Sequence, residues 1–176
     1  MGNCVSLFKL LGVHVNDKLT WDDHVAVICK RASQRLYFIT LLKRAGVQHQ
    51  DLIAIYCSLV RSILEYAAVV WHPGLTEEQS KMIEHIQKRA PGIVFQESSY
   101  ETALQRAGLQ RPSCRREELC KNFFSELKQQ NHVLHHLLPP RRPKMNLRHQ
   151  REFETPKMRT FRLKKSPIFY GLFKFQ

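Results

Sequence analysis

Glycine is scarce in this chain, with seven among 176 residues and none clustered. No glycine-rich phosphate loop and no G-x-S-x-G elbow can be drawn from them, which removes two common nucleotide-binding and hydrolase motifs. Aspartate is scarcer still: Asp17, Asp22, Asp23 and Asp51 are the only four. Two-metal polymerase chemistry needs carboxylates that converge from a rigid sheet onto both ions. The Asp22–Asp23 pair instead follows Trp21 at the start of a helical pattern, where capping accounts for it. Long apolar runs are missing as well. Ala67 to Trp71 is far too short to span a bilayer, so a membrane partner is not expected. The five cysteines (Cys4, Cys29, Cys57, Cys114, Cys120) are odd in number and scattered. With no signal peptide ahead of them they read as reduced thiols in a cytoplasmic or nuclear protein.

What the chain does have is positive charge. Lys and Arg number 28 against 15 acidic residues, a net charge of +13 with a pI near 9.9. Such a balance suits an anionic partner, above all nucleic acid. The charge concentrates after Pro139. Arg141, Arg142, Lys144, Arg148, Arg151, Lys157, Arg159, Arg162, Lys164, Lys165 and Lys174 face only Glu152 and Glu154 there. Prolines punctuate this tail, and Phe169, Tyr170, Phe173 and Phe175 close it. Cations interleaved with aromatics suit phosphate contact and base stacking. The same aromatics could equally dock back on the helices.

Helical periodicity dominates the rest. Leu7 to Val15 reads as a strand or half-hairpin, with Gly12 marking a bulge or close backbone approach. Thr20 with Asp23 predicts a capped helix whose apolar stripe runs from Trp21 to Leu42 and ends at Gly46. A second, broad-striped helix is expected from Asp51 to Trp71, stopped by His72-Pro73-Gly74. "HQD", His49 to Asp51, reads as its N-cap. Thr76 to Gln79 predicts a capping box for a third helix, broken at Pro91-Gly92. Ser98 opens a short helix ending at Gly108, and Ser113 caps one more. "HVLHHLL" adds a further turn. These readings give a mainly α protein: an N-terminal strand segment (1–19), a helical bundle (20–109), an additional helical segment (110–138) and a basic, largely irregular tail (139–176).

Three constellations carry possible chemistry. Arg61 and Glu65 share a helix face inside the apolar stretch "RSILEYAAVVWHPG", in the order less favourable to the helix dipole. Their reading is structural, a tether to another element. Cys114, Cys120, His132 and His136 approximate a zinc-finger spacing. A helix turns about 240° over the six residues between the two cysteines, whereas a finger needs them on a tight turn, so no metal or cofactor is expected. "MGNCVS" fits the N-myristoylation template, with Gly2 as acceptor and Cys4 as a second acylation position. That leaves a lipid-anchored basic protein as one alternative.

"FKLLGVHVNDKLTWDDHV", "LEYAAVVWHPG" and "IEHIQKRA", in this order, resemble the C-terminal part of a non-long-terminal-repeat retrotransposon reverse transcriptase. "NLRHQREFETPKMRTFRLKKSPIFYGL" is similar to the basic end of the same polyproteins. The resemblance covers nearly the whole chain. It implies that Leu10 to Val13 belong to a primer-grip hairpin and that the helices after Thr20 form a thumb. It further implies backbone contact with RNA or an RNA–DNA hybrid without base reading, by Lys30, Arg31, Arg35, Lys43 and Arg44. In the tail the candidates are Arg141, Arg142, Arg148, Arg159, Arg162, Lys164 and Lys165. Gly12, Trp21, Arg61, Glu65, Tyr66 and Trp71 would be structural. The catalytic palm of that family is not among these motifs, so activity alone is not expected and a separate palm domain is an implied partner. Pro91 and Ser62 depart from the family pattern. The stretch from about Val5 to Lys43 also resembles the short domain named after the N-terminal region of AlkB homologue eight. That name carries an alternative link to 2-oxoglutarate-dependent dioxygenase and methyltransferase activity.

Overall fold

The computed structural model describes residues 6–97, 99–143 and 151–176. It is mainly α-helical, with one antiparallel hairpin at the N-terminus. Strands β1 (Leu7–Leu10) and β2 (Val13–Asn16) pair Leu10 with Val13 across a two-residue loop. Leu11 and Gly12 both take positive φ, 45° and 88°, as a mirror-image hairpin turn requires. Glycine suits its position twice over, because a Cβ on Gly12 would sit 3.1 Å from the Tyr66 ring.

Helix α1 (Asp22–Arg44) buries Val25, Ile28, Ala32, Leu36 and Ile39, a 3.6-residue stripe. Its start differs from the sequence expectation. Thr20 does not cap it: Trp21 is the N-cap residue and supplies no side-chain bond. Asn16 organises the entry instead, accepting from the Thr20 N–H at 2.9 Å and donating to Thr20 Oγ1 and Asp23 Oδ2. The lead-in to α1 is thus held from the end of β2, outside the local pattern.

The expected second helix is broken into segments. It begins earlier, with α2 at His49–Tyr56, so His49 to Asp51 form the first turn rather than a cap. A π-helical turn over Cys57–Arg61 follows, then α3 (Ser62–Glu65), α4 (Ala68–Trp71) and a 3₁₀ turn, His72–Gly74. Between α3 and α4, Ala67 adopts φ 51°. The reason lies in the spacing of the buried residues. Leu52, Tyr56, Val60, Leu64 and Ala68 recur every fourth position. On an ideal α-helix each such step overshoots one turn by about 40°, so the stripe would swing about 160° around the axis. The wider π turn and the left-handed break keep these side chains on the core side. The Trp71 Nε1–H donates to the Tyr66 carbonyl released at the break, at 2.9 Å. By length and composition His49–Gly74 could cross a membrane, contrary to the reading from short apolar runs. Leu52, Tyr56, Val60 and Trp71 are fully buried against the bundle, but only 22% of the apolar stretch is buried, and Leu59, Tyr66 and Val70 are exposed.

Helix α5 (Glu77–Phe95) opens with the reciprocal Thr76–Gln79 capping box and packs mainly on α1. It does not stop at Pro91, and it reaches a left-handed C-cap at Gln96. A mid-helix proline costs about 3 kcal/mol. Burial of Val94, with Ile93 and Phe95 packed on the core, offsets that cost. Lys43 Nζ adds a bond to the Ile93 carbonyl. Helix α6 (Tyr100–Ala107) is capped by Ser99, one residue beyond the expected Ser98, which lies outside the described residues. It ends at Gly108, φ 62°. Helix α7 (Pro112–Leu127) has Arg111 as its N-cap residue and Pro112 in its first turn, displacing the expected Ser113 cap. The "HVLHHLL" turn is the 3₁₀ segment His135–Leu137.

Among its described residues the tail holds two short helices, α8 (Phe161–Lys164) and α9 (Pro167–Lys174). It packs around a second cluster formed by Phe124 and Leu127 of α7 with Phe153 and Leu172. Phe169 and Phe175 pack at its edge, so these tail aromatics dock on the helices.

Candidate nucleic-acid interface

The hairpin turn, α1 and α3 enclose a cleft of about 650 Å³. Gly12, His24, Arg31, Arg35, Ser62 and Tyr66 line it, with Ile28, Gln34 and Ile63. Tyr66 fixes its rim, since its hydroxyl donates to the Leu11 carbonyl at 2.8 Å. Arg31 and Arg35 are exposed and lie one helical turn apart on α1. Among the described residues neither has a carboxylate partner within ion-pair distance. Their charge is therefore free to meet an external anion.

His24 is 1% exposed on the cleft wall. Burial first, then His14 and Arg31, lower its pKa to about 4, so it is neutral at physiological pH. The His14 N–H donates to His24 Nδ1 at 3.3 Å. That bond assigns the imidazole proton to Nε2, which is buried and has no protein partner. The cleft thus carries two guanidiniums without carboxylate partners on a wall that includes the buried, neutral His24.

The other sequence candidates scatter. Lys30 is exposed on α1 but outside the cleft. Lys43 is engaged at the Ile93 carbonyl, and Arg44 is exposed at the far end of α1. Arg141 pairs with Glu152 at 3.5 Å and lies over the Phe153 ring, and Arg142 Nη2 donates to Thr155 at 3.5 Å. Lys164 sits over Phe173, and Arg159 is exposed. Arg162 and Lys165 share a second groove with Lys18. Arg148, Gly2 and Cys4 lie outside the described residues. The zinc-like set does not converge. Cys120 is buried with its thiol pushed up to about 11, Cys114 is exposed, His132 is half-buried against the Phe123 ring, and the His136 ring bonds the Val133 carbonyl. No group of three or more metal-ligating side chains forms among the described residues. Asp22 accepts from Gln79 Nε2 at 2.7 Å and Asp23 from Asn16 at 3.0 Å, so the paired aspartates bind protein donors.

Glu65 lies between two arginines. Arg61 Nε and Arg115 Nε each stand 3.6 Å from its oxygens, which links α3 to α7. Sequence reasoning missed the neighbouring Arg116, which is fully buried. Its Nε donates to His72 Nδ1 at 3.3 Å and its Nη2 to Ser80 at 3.0 Å, while its guanidinium lies 5.8 Å from the Trp71 ring. Burial lowers its pKa to about 10, opposed by Glu84 and Glu65, so it remains a cation. The signal was available: Arg116 lies four and eight residues before Cys120 and Phe124, on the buried stripe of α7. Phe38 was missed too. It is 51% exposed, and its i, i+4, i+7 spacing extends the Arg31–Arg35 stripe with an aromatic ring.

Comparison with known proteins gave no match: no family model, no curated protein and no solved structure is similar to this chain.

Proposed function

We propose that this protein is a non-catalytic, thumb-like part of a retroelement reverse transcriptase that binds nucleic-acid backbone without sequence specificity. The observation that carries the reading is the cleft between the hairpin and α1, with Arg31 and Arg35 on its wall and no carboxylate within ion-pair distance of either among the described residues. Guanidiniums on a rigid helix contact phosphates and fix register without reading bases. The excess of basic residues, +13 overall, supplies attraction at longer range. An RNA–DNA hybrid or duplex is the expected partner, in the cytoplasm or nucleus. Binding rather than polymerisation is the activity these residues support, since Asp22 and Asp23 are committed to Gln79 and Asn16.

Fluorescence anisotropy of a labelled hybrid across a salt series tests this. Affinity should fall steeply with salt and vary little with sequence. The Arg31→Gln, Arg35→Gln double variant should lower the log–log salt slope by about two. No binding at low salt, or salt-insensitive binding, rejects the reading.

A further inference from the structure

A second groove, of about 420 Å³, opens where the chain leaving β2, the His72–Gly74 turn and α8 meet. Lys18, Leu19, Trp21, Phe161, Arg162 and Lys165 line it. The indole of Trp21 lies so close to Gly74 that a Cβ there would collide with it, which fixes the ring as a wall. Phe161 offers a second ring, 70% exposed although it begins a helix. Lys165 Nζ lies 4.8 Å from the Phe161 centroid. Among the described residues no carboxylate forms an ion pair with Lys18, Arg162 or Lys165. Asp22 also lines the groove, but its Oδ1 already accepts from Gln79.

We propose that this groove takes an unpaired nucleotide, its base stacked on the Phe161 ring against the Trp21 wall and its phosphate held by Lys18, Arg162 and Lys165. Each part of the ligand has a counterpart in the groove. An exposed ring is a stacking platform for any base, and unpaired cations at the same opening meet a phosphate. A base inside a duplex is already stacked and cannot present its face, so the ligand is single-stranded or free. The site is separate from the Arg31–Arg35 cleft and does not depend on the backbone-binding reading. The docked tail completes it, because Phe161, Arg162 and Lys165 come from α8 while Lys18 and Trp21 come from the hairpin exit.

Tryptophan fluorescence reads the site directly. Trp21 is partly exposed at the groove, whereas Trp71 is fully buried and lines neither groove. Titration with a ten-residue oligouridylate in low salt should quench Trp21. Phe161→Ala removes an exposed ring without opening the core and should weaken this binding by about five- to a hundredfold. Arg162→Gln with Lys165→Gln should weaken it further and flatten its salt dependence. A parallel titration with uridine monophosphate separates the two sources: quenching by it alone marks a mononucleotide site, quenching only by the oligomer marks a strand site. Absence of quenching by both, or Phe161→Ala binding as tightly as the parent, overturns the proposal. The Arg31→Gln, Arg35→Gln double variant keeps the two claims apart. It should lose hybrid affinity and keep the Phe161-dependent quenching.

Discussion

The bundle and the docked tail each have a core, and the two are built differently. The bundle core gathers nineteen buried apolar residues from the hairpin and from α1 through the segment after α6, mostly aliphatic. Among the described residues the tail core rests on four, Phe124, Leu127, Phe153 and Leu172, two of them aromatic. Aliphatic side chains at helical spacing tile a broad helix–helix surface. Aromatic rings fill a small volume with few residues, and that is what a proline-punctuated tail can supply. A core of four residues is also the region expected to open first, as local opening follows the density of buried contacts. Both cores touch α7, the bundle core through the partly buried Leu119 and the tail core through Phe124 and Leu127.

Several changes would test this asymmetry. Trp71→Ala should have the largest effect, since the ring is fully buried beside His24 and Arg116. A loss of about 3–5 kcal/mol, read by urea denaturation, should unfold bundle and tail together. Acid comes next. Burial lowers the pKa of His24 and of His72 to about 4 in the folded state, against 6.5 unfolded. Between those values the unfolded chain binds more protons, so stability is complete above pH 6.5 and is lost as pH falls towards 4. For fully buried His24 the loss amounts to at most about 3 kcal/mol. His24→Phe should flatten that part of the stability–pH curve.

Gly171→Ala should separate the two cores. A Cβ there would collide with the Phe124 ring, although alanine suits a helix better. Overpacking of about 1–3 kcal/mol should release the tail to limited proteolysis while the circular dichroism of the bundle persists. Simultaneous melting of both would show that they are one cooperative unit. Arg61→Met should have the smallest effect. The pair with Glu65 is 3.6 Å long and 30% exposed on the Arg61 side, so a change under about 1 kcal/mol is expected by thermal denaturation. Hybrid affinity should stay unchanged, because Arg61 lies outside the cleft.

The stripe of α1, the capping box of α5 and the αL stop at Gly108 were legible because each is encoded by residues within one or two turns. Pro91 misled because local propensity argues for a break, while Val94 and its neighbours gain more by continuing into the core. The start of α1 was illegible because Asn16 holds Thr20 from the preceding strand and Trp21 takes the N-cap position without a side-chain bond. Of the candidate site, Arg31 and Arg35 could be named in advance, but their grouping with His24 and Gly12 could not. The second groove was hidden for the same reason, since Lys18 and Phe161 are distant in sequence.

By itself the sequence determined the helical class, the hairpin and the excess of positive charge. These follow from periodicity, turn chemistry and composition, which act over a few residues or over none. Tertiary structure decided which charges stand free. It tied Lys43 to α5, drew Glu65 between two arginines, buried Arg116, and left Arg31, Arg35 and Arg162 facing solvent. Whether a cation is spent on the fold or offered to a ligand depends on which side chains packing places within about 4 Å of it, and that distance is set only when the helices meet.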